Sequence, residues 1–192
     1  MKAKKMLLIV DPQIDFITGS LPVPQAQAAM DELGKYIFDN DGNYCCKIVT
    51  TDWHPYAHCS FQPQGGEWPI HCVNNSVGAA IYPSLIAPLN ETSGFYKVLR
   101  KGVYEHREEY SIFKNLASAN YLRQIISMLN ITQIDICGIA GDICVLDTLK
   151  DGIELYGKKI FCVLTDYSPS LDGGKKLQAF IEDNGISHKC RF

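Results

Sequence analysis

Met6-Leu7-Leu8-Ile9-Val10 is an unbroken apolar run that ends at Asp11-Pro12. It does not alternate apolar with polar residues, as a strand with one wet face would. A short flat run fits a strand covered on both sides, which is how strands sit in a parallel sheet. The same kind of run recurs at Cys46–Thr51, Tyr96–Leu99, Ile134–Ile139 and Ile160–Thr165, with a last short strand expected at Ile186–His188.

The segments between these runs carry helical spacing instead. Gln25–Asp39 sets Ala29, Leu33 and Ile37 on one face, and Ser118–Leu129 does the same with Leu122, Ile125, Ile126 and Leu129. Val145–Tyr156 aligns Val145, Leu149 and Ile153, and Lys175–Asp183 aligns Leu177 and Ile181. Strand alternating with helix predicts an α/β fold. Three layers, α-β-α, are expected around a mostly parallel, Rossmann-like central sheet of about six strands with right-handed crossovers. Residues 1–192 read as one domain, without repeat or linker, and long enough to bury a core. The stretch from Trp53 to Asn90 departs from both periods. It is rich in Pro, Gly, His and aromatic residues, and so long a loop usually carries function.

An apolar share of 46%, a charged share of 20% and a net charge of −3 describe a soluble globular chain without a nucleic-acid footprint. No stretch nears the ~20 apolar residues of a membrane span. The N-terminal apolar run is too short for a signal sequence, so a cytoplasmic location is expected. The eight cysteines are then expected to be reduced. The partner expected is a small-molecule substrate, with neither nucleic acid nor membrane; a homo-oligomer stays open.

In open α/β sheets ligands bind beyond the carboxyl ends of the strands. Asp11 follows the first strand, Asp52 and His54 the second, Lys101 the third, and Gly141, Asp142 and Cys144 the fourth. Cys144 falls where a strand turns into a helix. The helix dipole and free N–H groups there favour a thiolate nucleophile, expected to outreact the other seven thiols. The alternative is a small buried hydrophobe. Asp11 reads as a general acid/base or as a helix cap before Pro12, and Lys101 as a catalytic or a solvated lysine. Asp52-Trp53-His54, with His58 and His71, resembles a metal set, because alternate residues of a strand share a face. Oxygen and imidazole donors suit zinc, iron, manganese or cobalt. The alternative is that His54 and His71 bond to loop backbone.

These segments, taken in order, resemble the isochorismatase-like cysteine hydrolases, and within them the nicotinamidase/pyrazinamidase branch. The likeness runs from Val10 to about Pro169. It rests on Val10-Asp11-Pro12-Gln13-Ile14-Asp15-Phe16 and Gly19-Ser20-Leu21-Pro22-Val23-Pro24. It continues through Thr51-Asp52-Trp53-His54-Pro55, His58-Cys59-Ser60-Phe61, Trp68-Pro69-Ile70-His71-Cys72-Val73, Lys101-Gly102 and Gly138-Ile139-Ala140-Gly141-Asp142-Ile143-Cys144-Val145. The resemblance implies Asp11 as acid/base, Lys101 as catalytic lysine and Cys144 as nucleophile. It also implies an oxyanion hole from the N–H groups of Ala140 and Cys144, aimed by a cis peptide between Ile139 and Ala140. Phe16 and Trp68 would sandwich a pyridine ring, with Tyr110 as a further wall. Asp52, His54 and His71, joined by His58 in some relatives, would hold one divalent metal, zinc ahead of iron or manganese, that ligates the ring nitrogen. The implied reaction is hydrolysis of nicotinamide to nicotinate and ammonia through a Cys144 thioester, as in NAD salvage. Gly141 stands where Thr is common, which is expected to loosen that turn, and the segment from Gly102 to Ser111 is longer than in some relatives. The competing readings are a metal-independent relative acting on a carbamoyl or ureido substrate, and a non-catalytic metal-binding module.

Overall fold

The computed structural model describes residues 3–190. At its centre Lys5–Val10 forms β1, with Met6 through Val10 buried. Cys46–Asp52 forms β2, Phe95–Lys101 β3, Gln133–Gly138 β4, Phe161–Leu164 β5 and Ser187–Lys189 β6. All neighbours pair in parallel, in the order β3-β2-β1-β4-β5-β6. The sheet is therefore fully parallel, and its order reverses between β1 and β4.

Among the described residues six helices cover it: α1 (Ile14–Ile17), α2 (Ala26–Asp39), α3 (Ile86–Glu91), α4 (Leu116–Leu129), α5 (Leu146–Tyr156) and α6 (Lys175–Asn184). The pleat of β1 sorts its side chains between two cores. Met6, Leu8 and Val10 pack with Leu122, Ile126, Leu149 and Ile181 of α4, α5 and α6. Leu7 and Ile9 pack on the opposite face with Met30, Leu33 and Ile37 of α2 and Leu89 of α3. This is the three-layer arrangement that flat strands and amphipathic helices require.

Away from the strand ends that build the site, Lys47 and Asp135 are buried charges, and both are satisfied, as burial demands. Lys47 Nζ donates to Thr92 Oγ1 at 2.9 Å and to the Ser93 carbonyl at 2.8 Å. Asp135 accepts from Tyr44 Oη at 2.8 Å. The helix boundaries follow their caps. α4 starts at Leu116, ahead of the expected Ser118, because Asn115 Oδ1 accepts the Ser118 N–H at 3.1 Å. α5 starts at Leu146, after a wide turn over Gly141–Val145 that holds Cys144.

Candidate active site

Strand register brings the site together. Val10 pairs with Gly138, and Asp52 is the register partner of Lys101. Asp11, Asp52, Lys101 and the turn after β4 therefore meet at one level, where the strand order reverses and an open α/β sheet leaves a crevice. Gly138, at φ 125°, lets β4 lie against the Val10 backbone, which any Cβ there would strike. The next peptide, Ile139–Ala140, is cis.

Lys101 Nζ is the hub. It lies 2.8 Å from Asp11 Oδ2, 2.6 Å from Asp52 Oδ1 and 3.5 Å from Cys144 Sγ. Asp11 and Lys101 have no solvent exposure, so Lys101 is neither a surface lysine nor free to move. Burial would push its ammonium toward neutrality, but Asp11 and Asp52 outweigh that and hold it charged. Asp11 takes a left-handed φ of 46°, which turns its carboxylate inward, and it caps no helix. Its Oδ1 accepts from Thr50 Oγ1 at 2.6 Å. Its Oδ2 faces Lys101 as an ion pair and carries no well-aligned hydrogen bond, so it keeps a lone pair for a proton. Burial, only partly offset by Lys101, lifts Asp11 from 3.8 to about 6.

The expected thiolate at Cys144 is corrected by its surroundings. Burial pushes the thiol well above its ordinary value, and Lys101 only partly opposes this. Cys144 is buried within the turn, and that burial opposes the helix dipole.

Asp52, His54 and His71 each bring a ligand atom to within 4.8 Å of the other two. His54 Nδ1 meets the Gly102 carbonyl at 2.9 Å and His71 Nδ1 meets the Pro69 carbonyl at 2.8 Å. A carbonyl partner requires the proton on Nδ1 and leaves Nε2 as the donor atom. In each ring one nitrogen thus bonds loop backbone, as one sequence reading expects, and the other is left to the Asp52–His54–His71 cluster. Asp52 is held well below the usual carboxylate range. Burial pushes it up, but Lys101 and then His54 pull it down further. One carboxylate and two imidazoles with outer partners already in place fit a divalent ion with open positions. His58 stands beside this cluster. Its ring lies 4.1 Å from that of His54, Nδ1 meets Ser60 Oγ at 2.7 Å and Nε2 meets the Arg107 carbonyl at 3.1 Å.

Cys144, Asp52 and His71 open into one cavity. Phe16, Trp68, Tyr110, Ala140, Asp52 and His71 line it, together with Leu21, Val23, Glu108, Ile143 and Leu171. The Phe16 ring lies 5.4 Å from that of His71, and Trp68 Nε1 donates to Tyr110 Oη at 3.0 Å. The lining is mostly apolar with a few polar side chains, the usual make-up of a small-molecule pocket.

Three supporting residues had no role in the sequence reading: Thr50, Gln13 and Asp15. Gln13 Nε2 donates to the carbonyls of Asp52 and Ala79 at 2.8 and 2.9 Å, and its Oε1 accepts the Asp52 N–H at 2.7 Å. Asp15 Oδ2 accepts the Cys72 N–H at 2.7 Å, next to His71. The motif around Asp11 is thus a clamp on the backbone at Asp52 and Cys72, and the available signal was Gln13 and Asp15 soon after the end of a buried strand. The wide turn is closely packed at Gly141 rather than loosened, because the Ser168 carbonyl and the Ser170 hydroxyl occupy the place of a side chain.

The chain belongs to the isochorismatase family, matching the Isochorismatase domain over residues 5–163. Its relatives within that family mark the nicotinamidase/pyrazinamidase branch. It is 34% identical to the nicotinamidase/pyrazinamidase of Mycobacterium tuberculosis, over 78% of this chain and 79% of that one. It is 32% identical to the nicotinamidase of Escherichia coli, over 84% and 81%. Among solved structures, PnC1 of L. infantum in complex with nicotinate superimposes with a TM-score of 0.83 at 28% identity, over 98% of this chain and 93% of that one. The pyrazinamidase of Pyrococcus horikoshii in complex with zinc gives 0.81 at 27%, over 98% and 99%.

Proposed function

We propose that this chain hydrolyses nicotinamide to nicotinate and ammonia, and pyrazinamide in the same way, with Cys144 as nucleophile. The observation that carries this reading is the contact of Lys101 Nζ with Asp11, Asp52 and Cys144 at one buried point. Asp11 Oδ2 takes the thiol proton as sulfur attacks the carboxamide carbon, and Lys101 keeps the two groups in register. The N–H groups of Ala140 and Cys144 hold the oxyanion. Asp11 passes its proton to the nitrogen, the C–N bond breaks and ammonia leaves a thioester on Cys144. A water then attacks the thioester carbon, Asp11 takes its proton, the C–S bond breaks and the thiol is restored.

Asp52, His54 and His71 would hold a divalent ion, zinc ahead of iron or manganese; when bound, it supplies a Lewis acid that anchors the pyridine nitrogen. His58 would join that shell only by releasing the Arg107 carbonyl. Phe16, Trp68 and Tyr110 pack against the ring, and holding the amide at the sulfur lowers the barrier by proximity. A cytoplasmic setting belongs to the same reading, and the product supports a place in NAD salvage. Among the described residues no helix is long and apolar enough to cross a membrane.

The test is ammonia release from nicotinamide by the wild type and by Cys144→Ala, with zinc, iron or manganese supplied. Turnover in the wild type alone is expected. No turnover with any of the metals overturns the reading and directs the search to carbamoyl and ureido amides.

A further inference from the structure

Glu109 is a carboxylate with no solvent exposure, and it does not line the substrate cavity. Burying a carboxylate is costly unless donors surround it. Here they do: Oε2 accepts the Gly102 N–H at 2.8 Å and Asn115 Nδ2 at 2.9 Å, and Oε1 pairs with Arg107. Gly102 sits at φ 63° with the His54 imidazole packed where a side chain would begin. Its carbonyl receives the Nδ1–H of His54. The backbone of Gly102 thus has two tethers, a carboxylate on its N–H and an imidazole on its carbonyl. Nothing else in the proposed reaction uses Glu109.

We propose that Glu109 is a positioning residue of the metal site, fixing Gly102 so that its carbonyl turns His54 Nε2 toward the ion. This rests on the reading of Asp52, His54 and His71 as the metal set. The outer partners of metal-ligating histidines typically matter by 10–100-fold in affinity.

The experiment titrates zinc alone into the metal-stripped full chain against a chromophoric chelator. It compares the wild type, Glu109→Gln, Glu109→Asp and His54→Ala, with thermal unfolding of each metal-free protein alongside. Glu109→Gln keeps an oxygen acceptor at the same reach and is expected to stay within about threefold of the wild type. Glu109→Asp keeps the charge but falls short of Gly102, and is expected to weaken zinc by about 10-fold or more. A Glu109→Asp protein that unfolds earlier but binds zinc as tightly as the wild type overturns the proposal, because Glu109 would then be purely structural. Zinc binding that survives His54→Ala, or is absent from the wild type, overturns the metal-site reading and Glu109's role with it.

Discussion

Thr50 Oγ1 donates to Asp11 Oδ1 at 2.6 Å, and the Asp11 N–H returns a bond to the same hydroxyl at 3.2 Å. One carboxylate oxygen is thereby tied down, and the other is left facing Lys101 and the thiol. Asp11 stands at about 6, raised by burial and held from going higher by Lys101 and Thr50. A general base works when unprotonated, so kcat/KM should rise as the pH climbs through about 6 and level off above it. Thr50→Val removes a hydrogen bond to the charged form, which raises the pKa and moves this limb to higher pH. Asp11→Asn should lower kcat by about 10²–10⁴-fold. Matched pH–rate profiles check all of this. A limb that stays in place in Thr50→Val belongs to another group.

Metal removal should raise KM more than it lowers kcat, since the ion is assigned to holding the ring rather than to breaking the bond. His71→Ala should lose the metal, while His58→Ala keeps it, because His58 already spends both ring nitrogens on Ser60 and Arg107. Metal content of the purified variants, read beside steady-state kinetics, decides both points. A large fall in kcat at unchanged KM would assign the ion a hydrolytic role.

The order of thiol labelling reports the resting state of the nucleophile. Cys45 and Cys190 are exposed, whereas Cys144 is enclosed and its thiol is raised by burial. Limited alkylation at neutral pH, followed by peptide mapping, should mark Cys45 and Cys190 first. Cys144 should lag and gain on them as the pH rises. Labelling of Cys144 ahead of both would mean that a thiolate rests there.

Gly141→Ala tests the packing of the nucleophile turn. The new methyl group would meet the Ser168 carbonyl as well as the Ser170 hydroxyl, so Ser170→Ala alone does not make room. The cost of such overpacking is about 1–3 kcal/mol. Thermal unfolding should show a lower Tm for Gly141→Ala, with or without Ser170→Ala. A Tm equal to that of the wild type would show that the 168–170 segment yields freely.

Much of this was legible in the chain because strand ends announce themselves. Flat runs marked β1, β2, β4 and β5, and Asp11, Asp52 and Cys144 follow or end them. β3 read short, as Tyr96–Leu99, because Arg100 and Lys101 do not look like strand residues, yet Lys101 is its last member. α1 and α3 are too brief to show a helical period. Thr50 and Glu109 were silent for another reason: their work is done by bonds that exist only once the chain has folded. The burial that opposes the helix dipole at Cys144 was equally silent, because enclosure belongs to the packed turn and not to the helix that follows it.

Asp52 divides its two oxygens between neighbours with different tasks, Oδ1 to the Lys101 ammonium at 2.6 Å and Oδ2 toward His54 Nε2 at 3.6 Å. Whatever draws charge from one oxygen weakens the hold of the other. Occupancy of the Asp52–His54–His71 cluster and the state of the Lys101–Asp11–Cys144 group are therefore linked, and linkage runs equally in both directions. If metal binding shifts the affinity of Cys144 for a reversible covalent ligand by some factor, that ligand shifts the affinity for metal by the same factor. A binding isotherm taken at one half of the site is thus a gauge of the other.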